Sequence, residues 1–266
     1  MGKIAFIGII PARYASTRFP GKPLALIGGK PMIERVYEQA QKSLDKVIVA
    51  TDDERIYDCV LGFGGEAMMT RTDHRCGTER CAEVAENLDR FADRIQTASL
   101  TEYRQDVVII NIQGDEPFIQ PDQIEALKGC FADADTQIAT LVKPFTSSDS
   151  IADLENPNSP KVAVSPDGHA LLFSRSVIPY LRGIEKSEWL QRGTFYKHIG
   201  MYAYRSDVLQ QIVKLAPTPL EQAESLEQLR WIENGYTIKV AVCESASIGI
   251  DTPSDLEKAN EFLKKY

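Results

Sequence analysis

Three short, almost uninterrupted apolar runs recur in the first half of the chain, at Lys3–Ile10, Asp45–Thr51 and Asp106–Ile112. A run apolar on both faces suits a strand buried inside a parallel sheet. Between the first two, Ile33, Val36, Tyr37 and Ala40 fall at i, i+3, i+4 and i+7, which predicts a helix over about Pro31–Ser43 with Pro31 in its first turn. Further helices are predicted over Asp53–Phe63, from Thr78 towards Phe91, and over Pro121–Phe131. Strands alternating with helices at this spacing imply βαβ units, right-handed crossovers and an α/β fold with a mostly parallel sheet. Ligands of such sheets bind at the carboxyl ends of the strands.

The middle of the chain departs from this rhythm. Val162–Val164, the turn at Ser165-Pro166-Asp167-Gly168 and Ala170–Phe173 predict a hairpin, and Ile199–Tyr204 a further strand. Residues 143 to about 205 are therefore read as a smaller mixed α/β region within a single domain spanning 1–266, used for substrate specificity or dimerisation. The α/β order returns with a helix at Ser225–Asn234, a strand at Thr237–Val242 and a last helix from Pro253. Capping boxes are expected at Ser225 with Gln228 and at Thr252 with Asp255.

Composition narrows the function. A chain with 43% hydrophobic and 26% charged residues buries an ordinary core. A net charge of −8 argues against nonspecific nucleic-acid binding, which depends on neutralising many phosphates. The run Ile4–Ile10 is too short to span a bilayer and leads into Pro11 and Arg13 rather than a cleavage site, so a cytoplasmic protein without membrane insertion is expected. Cys59, Cys76, Cys81, Cys130 and Cys243 form an odd set without C-x-x-C, which fits reduced thiols. Charge is also uneven: residues 1–33 hold Lys3, Arg13, Arg18, Lys22 and Lys30 and no acid, where an even spread would place about five. An anion is expected near this end.

The segment Pro11–Leu24 follows the first strand and carries Arg13, Ser16, Thr17, Arg18, Gly21 and Lys22. Cations offset phosphate charge, hydroxyls donate to it, and glycine lets backbone approach it closely. The segment is neither a Walker A loop nor a G-x-G-x-x-G turn. Its pattern R-x-x-S-x-R-x-x-x-K resembles the nucleotide loop of sugar-activating cytidylyltransferases. The likeness continues in order through ATDDERI, MTRTDHRCGTER, NIQGDEP, LLFSR, YKHIGMYAYR, LEQLR and GIDTPSDLE. These strings resemble the acidic-sugar branch of that family, the members acting on 3-deoxy-D-manno-octulosonate (Kdo). The resemblance implies a Rossmann-like nucleotidyltransferase core, a homodimer, and Mg2+-dependent transfer of CMP from CTP to Kdo for lipopolysaccharide synthesis.

Such a transfer needs positioning and charge neutralisation more than covalent chemistry. Arg13, Arg18 and Lys22 are candidates for the leaving pyrophosphate. Asp115, in Gln113-Gly-Asp-Glu-Pro117, lies just beyond one strand, and Asp251 is read as ending another before the helix at Thr252. Both carboxylates are expected at the binding edge of the sheet, where they form a candidate Mg2+ site. An aspartate in such a place is otherwise a turn residue, and the resemblance decides in favour of the metal. Glu116 is left unassigned. Thr78 and Arg80, where Gly77 opens a helix, are candidates for the nucleotide, with an N-cap the simpler role for Thr78. Cys76 stands where similar enzymes have serine. His74, Cys76 and Cys81 lack a fourth ligand for zinc.

For the sugar, the resemblance points to Arg175, His198, Tyr202, Glu227 and Gln228, with Gln113 near the acceptor. Tyr202 would otherwise be a core aromatic and Glu227 a solvated helix residue. Lys197 beside His198 leaves the charge of that imidazole open. The helix at Ser225–Asn234 is expected to bury Leu226, Leu229 and Ile232 and to leave Glu227 and Gln228 for a ligand. No residue stands out as a general base. The rival readings are the same chemistry on a sialic acid or 8-amino-Kdo, a glycosyltransferase, against which Asp115 is followed by Glu116 and Pro117 and so stands in no D-x-D motif, and a nucleotide-sensing module without turnover.

Overall fold

The structure is a computed structural model and describes residues 4–15, 19–89, 107–245 and 249–264. The chain opens with strand β1 (Ala5–Ala12), the two-residue strands β2 (Leu26–Ile27) and β3 (Lys30–Pro31), and helix α1 (Met32–Ala40). Then come β4 (Lys46–Thr51), α2 (Glu54–Gly62), β5 (Ala67–Met69), α3 (Gly77–Glu86), β6 (Val107–Asn111) and α4 (Pro121–Cys130). The middle holds β7 (Ile138–Pro144), α5 (Ile151–Glu155), β8 (Lys161–Val164), β9 (Ala170–Ser174), α6 (Trp189–Arg192) and β10 (Tyr196–Arg205). It closes with α7 (Ser206–Ile212), α8 (Pro219–Glu224), α9 (Glu227–Glu233), β11 (Ile238–Val242) and α10 (Pro253–Lys264).

These elements form two compact units. The first comprises residues 1–125, 203–213 and 246–266. Its strands run in the order β6-β1-β4-β5, all parallel. The apolar runs predict this because β4 and β6 are buried along their whole length, which requires cover on both faces. β1 continues two residues past the expected Ile10, because Pro11 and Ala12 pair with Ala50 and Thr51. The ladder to β6 has ended by then, at Ile9 opposite Asn111. Pro11 therefore sits beyond it, where a missing N–H costs no hydrogen bond to that neighbour.

The expected helices form with shortened ends. Asp53 caps α2 by accepting from the Arg55 N–H, and α1 buries Met32, Ile33, Val36, Tyr37 and Ala40 on one face. α3 stops at Glu86, and its expected extension to Phe91 runs past the described residues. Ile27, Met32, Ile250 and Ala259 pack together and tie α10 to the start of α1.

The second unit comprises residues 126–202 and 214–245. β7 pairs in parallel with β11, and the predicted hairpin is present as antiparallel β8 and β9, closed by a turn in which Gly168 adopts φ 80°. β8 also pairs antiparallel with β10. Its local core is built on Leu154, Trp189 and Phe195. The second unit corrects two expectations. Ser225 does not cap α9: it takes a left-handed conformation (φ 51°) that ends α8, a helix absent from the sequence reading, and Leu226 is the N-cap. α9 buries Gln228, Leu229, Arg230 and Trp231, so Gln228 faces the interior rather than lying off the buried face.

Candidate active site

Lys22 is held at the end of β1 by a loop that closes on itself. The Gly21 N–H donates to the Tyr14 carbonyl at 2.9 Å, and Gly21 takes φ 70° with the Tyr14 ring only 3.1 Å from where a Cβ would stand. Any other residue there meets both strain and a clash. The guanidinium of Arg55, fixed by Asp53, stacks on the same ring at 3.3 Å. A short 3-10 turn at Lys22–Leu24 follows and points the ammonium at two carboxylates. Lys22 Nζ lies 2.6 Å from Asp115 and 3.3 Å from Asp251.

Both aspartates reach this place by backbone geometry. Asp115 follows β6 through Gln113 and Gly114, and a Cβ on Gly114 would stand 3.1 Å from the Pro11 carbonyl. Asp251 does not end a strand, as the sequence suggests, since β11 finishes at Val242. A backbone bond from the Ile250 N–H to the Asp115 carbonyl at 2.9 Å brings it beside Asp115. The predicted capping box then starts α10: Thr252 N–H donates to Asp255 at 3.0 Å and Asp255 N–H to Thr252 Oγ1 at 3.3 Å.

These groups line a cavity of about 280 Å3 within the first unit, together with Arg13, Gln113, Arg80 and a wall made of His74, Arg75, Cys76 and Gly77. Ser16 and Arg18 lie outside the described residues. Arg80 is buried, and its guanidinium donates to Asp52 at 2.8 Å, to Thr70 Oγ1 and to the Arg71 carbonyl. It is thus committed to protein partners. Thr78 is buried inside the first turn of α3, and the N-cap position belongs to Cys76, whose side chain makes no capping bond. The wall residues stand in the string MTRTDHRCGTER. The contact of His74 and Arg75 with the cavity is not legible in the sequence, since a loop residue's direction has no periodicity to reveal it.

The five sugar candidates all fall in the second unit. The Arg175 guanidinium donates to the carbonyls of Glu224, Pro157 and Ser225, and its backbone N–H to the Glu224 carboxylate. His198 Nε2 is 3.0 Å from Thr140 Oγ1, and its ring packs on Phe173 and Tyr202. Burial pushes the imidazole pKa down to about 3, so enclosure and not Lys197 keeps it neutral. Tyr202 packs edge-on against Trp231, and burial holds its phenol well above the usual range. Glu227 pairs with Arg230 at 2.7 Å. Gln228 is buried, and its Nε2 has no hydrogen-bond partner among the described residues.

A basic cavity at the carboxyl ends of parallel strands, with two carboxylates around one lysine, defines an α/β protein of the nucleotide-binding class. The cytidylyltransferase family profile matches residues 7–239, and the chain belongs to this family. It is 59% identical to a 3-deoxy-manno-octulosonate cytidylyltransferase of Parabacteroides distasonis, over 97% of this chain and 98% of that protein. A protein of the same name from Phocaeicola vulgatus is 58% identical, over 98% of each. Among solved structures, a CMP:2-keto-3-deoxy-manno-octonic acid synthetase complexed with CTP superposes with a TM-score of 0.84 at 41% identity, covering 98% of this chain and 99% of that one.

The resemblance also implies Mg2+. Asp115 and Asp251 already share one cation, the Lys22 ammonium, and supply the hard oxygens that Mg2+ prefers. No group of three or more His, Cys, Asp or Glu that could hold a metal occurs among the described residues. The donor set fits an ion that takes its remaining ligands from phosphates and water.

Proposed function

We propose that the protein transfers CMP from CTP to Kdo, forming CMP-Kdo and pyrophosphate with Mg2+. The observation that carries the reading is the Lys22 ammonium between Asp115 and Asp251 at the basic cavity. The anomeric hydroxyl of the sugar attacks the α-phosphorus and releases its proton to solvent, a new P–O bond forms, and the bond from that phosphorus to the bridging oxygen of pyrophosphate breaks, with the electron pair going to pyrophosphate. Arg13, Arg18 and Lys22 neutralise the leaving pyrophosphate. Asp115 and Asp251 would hold Mg2+, which supplies charge neutralisation at the α-phosphate when bound. His74 is no general base, because its Nε2 is committed to Glu83.

Recognition of the sugar falls to residues of the second unit. A buried amide without a partner is costly, and a sugar hydroxyl at Gln228 would remove that cost. Neutral His198, Tyr202 and Glu227 offer further partners for hydroxyls, and Gln113 serves the acceptor. We place the enzyme in the cytoplasm as a homodimer whose product feeds lipopolysaccharide synthesis. Its five cysteines are free, no described helix is long and apolar enough to cross a membrane, and Leu171 and Tyr180 are exposed on the second unit.

Pyrophosphate release from CTP is the test, with Kdo, 8-amino-Kdo and N-acetylneuraminate offered in parallel and ATP, GTP and UTP as controls. Release with CTP and Kdo is expected. Release with only another acid would move the sugar, and none with any acid would leave a nucleotide-binding module.

A further inference from the structure

The wall of the cavity formed by residues 74–77 follows a turn at Thr72–Asp73 and leads into α3. Two carboxylates one helical turn apart on α3 hold it. Glu83 accepts from the Arg71 N–H at 3.0 Å and from His74 Nε2 at 2.5 Å. Glu79 accepts from the Arg75 N–H at 2.8 Å and the Arg75 Nε–H at 2.8 Å, and stands 3.9 Å from His74 Nδ1. The spacing of Glu79 and Glu83 places both on one face of the helix. An ionised carboxylate only accepts, so His74 Nε2 carries the proton in this contact.

The His74 side chain is only 4% exposed although the residue lines the cavity. It has been taken out of water and set between two carboxylates. Both carboxyls are held below their usual range, against a desolvation effect that acts to raise them, by the Arg75 N–H and side chain at Glu79 and by His74 and the Arg71 N–H at Glu83. The backbone of Arg71–Arg75 is thus tied to α3 at both ends, and Cys76 and Gly77 follow from there into the helix.

We propose that His74, Glu79 and Glu83 form a clip that positions the 71–77 loop as the nucleotide-facing wall of the cavity, so that His74 is a positioning residue for CTP. The inference rests on the functional reading above. A loop merely stabilised by these bonds would lose thermal stability when they break. A loop positioned by them loses nucleotide affinity at unchanged sugar affinity, because contacts to a ligand depend on placement to a fraction of an ångström.

The experiment compares the full-length wild type with His74→Phe, His74→Gln and Glu83→Gln. CTP binding is read by calorimetry in Mg2+ buffer, and kcat and KM for CTP and Kdo by pyrophosphate release. His74→Phe keeps the ring volume and loses the donor, and its CTP affinity is expected to fall roughly tenfold, as for one charge-assisted hydrogen bond. Its kcat and its KM for Kdo stay near wild type. His74→Gln restores a donor to Glu83 and recovers most of the affinity. Glu83→Gln keeps an oxygen for the two donors that already share Oε2 but removes its charge, and falls between the two, which keeps the test open if His74→Phe does not fold. Wild-type CTP affinity in both His74→Phe and Glu83→Gln, or in Glu83→Gln alone where His74→Phe does not fold, overturns the clip, whatever the change in melting temperature. A wild type that itself fails to bind CTP overturns the functional reading and the clip with it.

Discussion

Lys22 Nζ lies 2.6 Å from the carboxylate of Asp115, a residue 93 positions further along the chain. Asp251, 229 positions away from Lys22, shares the same ammonium at 3.3 Å. The side chain of Lys22 is 15% exposed, while those of Asp115 and Asp251 are 32% and 48% exposed. The cation is thus the more enclosed partner, and the carboxylates open to the cavity. Such an arrangement keeps two acids close together before any nucleotide arrives, and it places the lysine where phosphate oxygens can take it over.

Replacing Lys22 separates its two roles. Lys22→Met should lower kcat/KM by about 10²–10³-fold, the usual loss for one group that stabilises developing charge. The same change removes the cation that the carboxylates share. Mn2+ should then bind the nucleotide-free variant more tightly than the wild type, by roughly tenfold. Calorimetric titration with Mn2+ checks this. Equal or weaker binding would show that the ammonium does not compete with the metal.

Arg80 is expected to act on stability first. Its side chain is 5% exposed and paired with Asp52, which retains 19% side-chain exposure. Arg80→Ala strands a partly buried carboxylate and should cost about 2–3 kcal/mol, below the range for a fully buried pair. Arg80→Lys should recover less than half of this, because one ammonium cannot serve Asp52 and Thr70 in the geometry of a planar fork. Urea unfolding at constant m-value measures both. A midpoint unchanged in Arg80→Ala would place the arginine's role with the ligand instead.

The sequence discloses β1, β4 and β6 because strands buried on both faces leave uninterrupted apolar runs, and the hairpin of β8 and β9 because its turn residues are explicit. The pairing of Lys22 with Asp115 and Asp251 is hidden, since local pattern holds no record of partners so distant in the chain. Helix α9 departs from the sequence pattern for a nearer reason. Assigning Leu226, Leu229 and Ile232 to its buried face presumes one apolar stripe, whereas four consecutive positions, Gln228–Trp231, are enclosed on all sides. Asp251 ends no strand, and its place beside Asp115 comes from the long-range bond of the Ile250 N–H to the Asp115 carbonyl, which no local pattern records.

Gln228 offers a case in which fold and function pull apart. Its Nε2 is buried without a partner among the described residues, and removing an unsatisfied buried amide is neutral or stabilising. Gln228→Leu should therefore leave stability within about 1 kcal/mol of wild type or raise it. If the amide meets a sugar hydroxyl, the same variant should raise the KM for Kdo roughly tenfold and leave the KM for CTP alone. Thermal melts with steady-state kinetics read both quantities. A destabilised variant with normal Kdo kinetics would make Gln228 a structural residue.

His198 gives the pH dependence a definite sign. Burial holds its folded pKa at about 3, against 6.5 for a free imidazole. Between these values the unfolded chain binds a proton that the folded chain refuses. The contribution of this site to stability is therefore complete above about pH 6.5 and falls as the pH is lowered towards 3. The residue keeps some solvent exposure, so the slope should stay below about 1 kcal/mol per pH unit. His198→Gln has no proton to refuse. Its unfolding free energy should decline less steeply than that of the wild type between pH 6.5 and 4.5, in denaturant titrations at several pH values. Parallel curves for the two proteins would mean that the imidazole titrates in the folded state much as it does in water, and that the ring beside Thr140 and Tyr202 is open to solvent. Curves that diverge as expected would establish His198 as a neutral hydrogen-bonding partner throughout the physiological range.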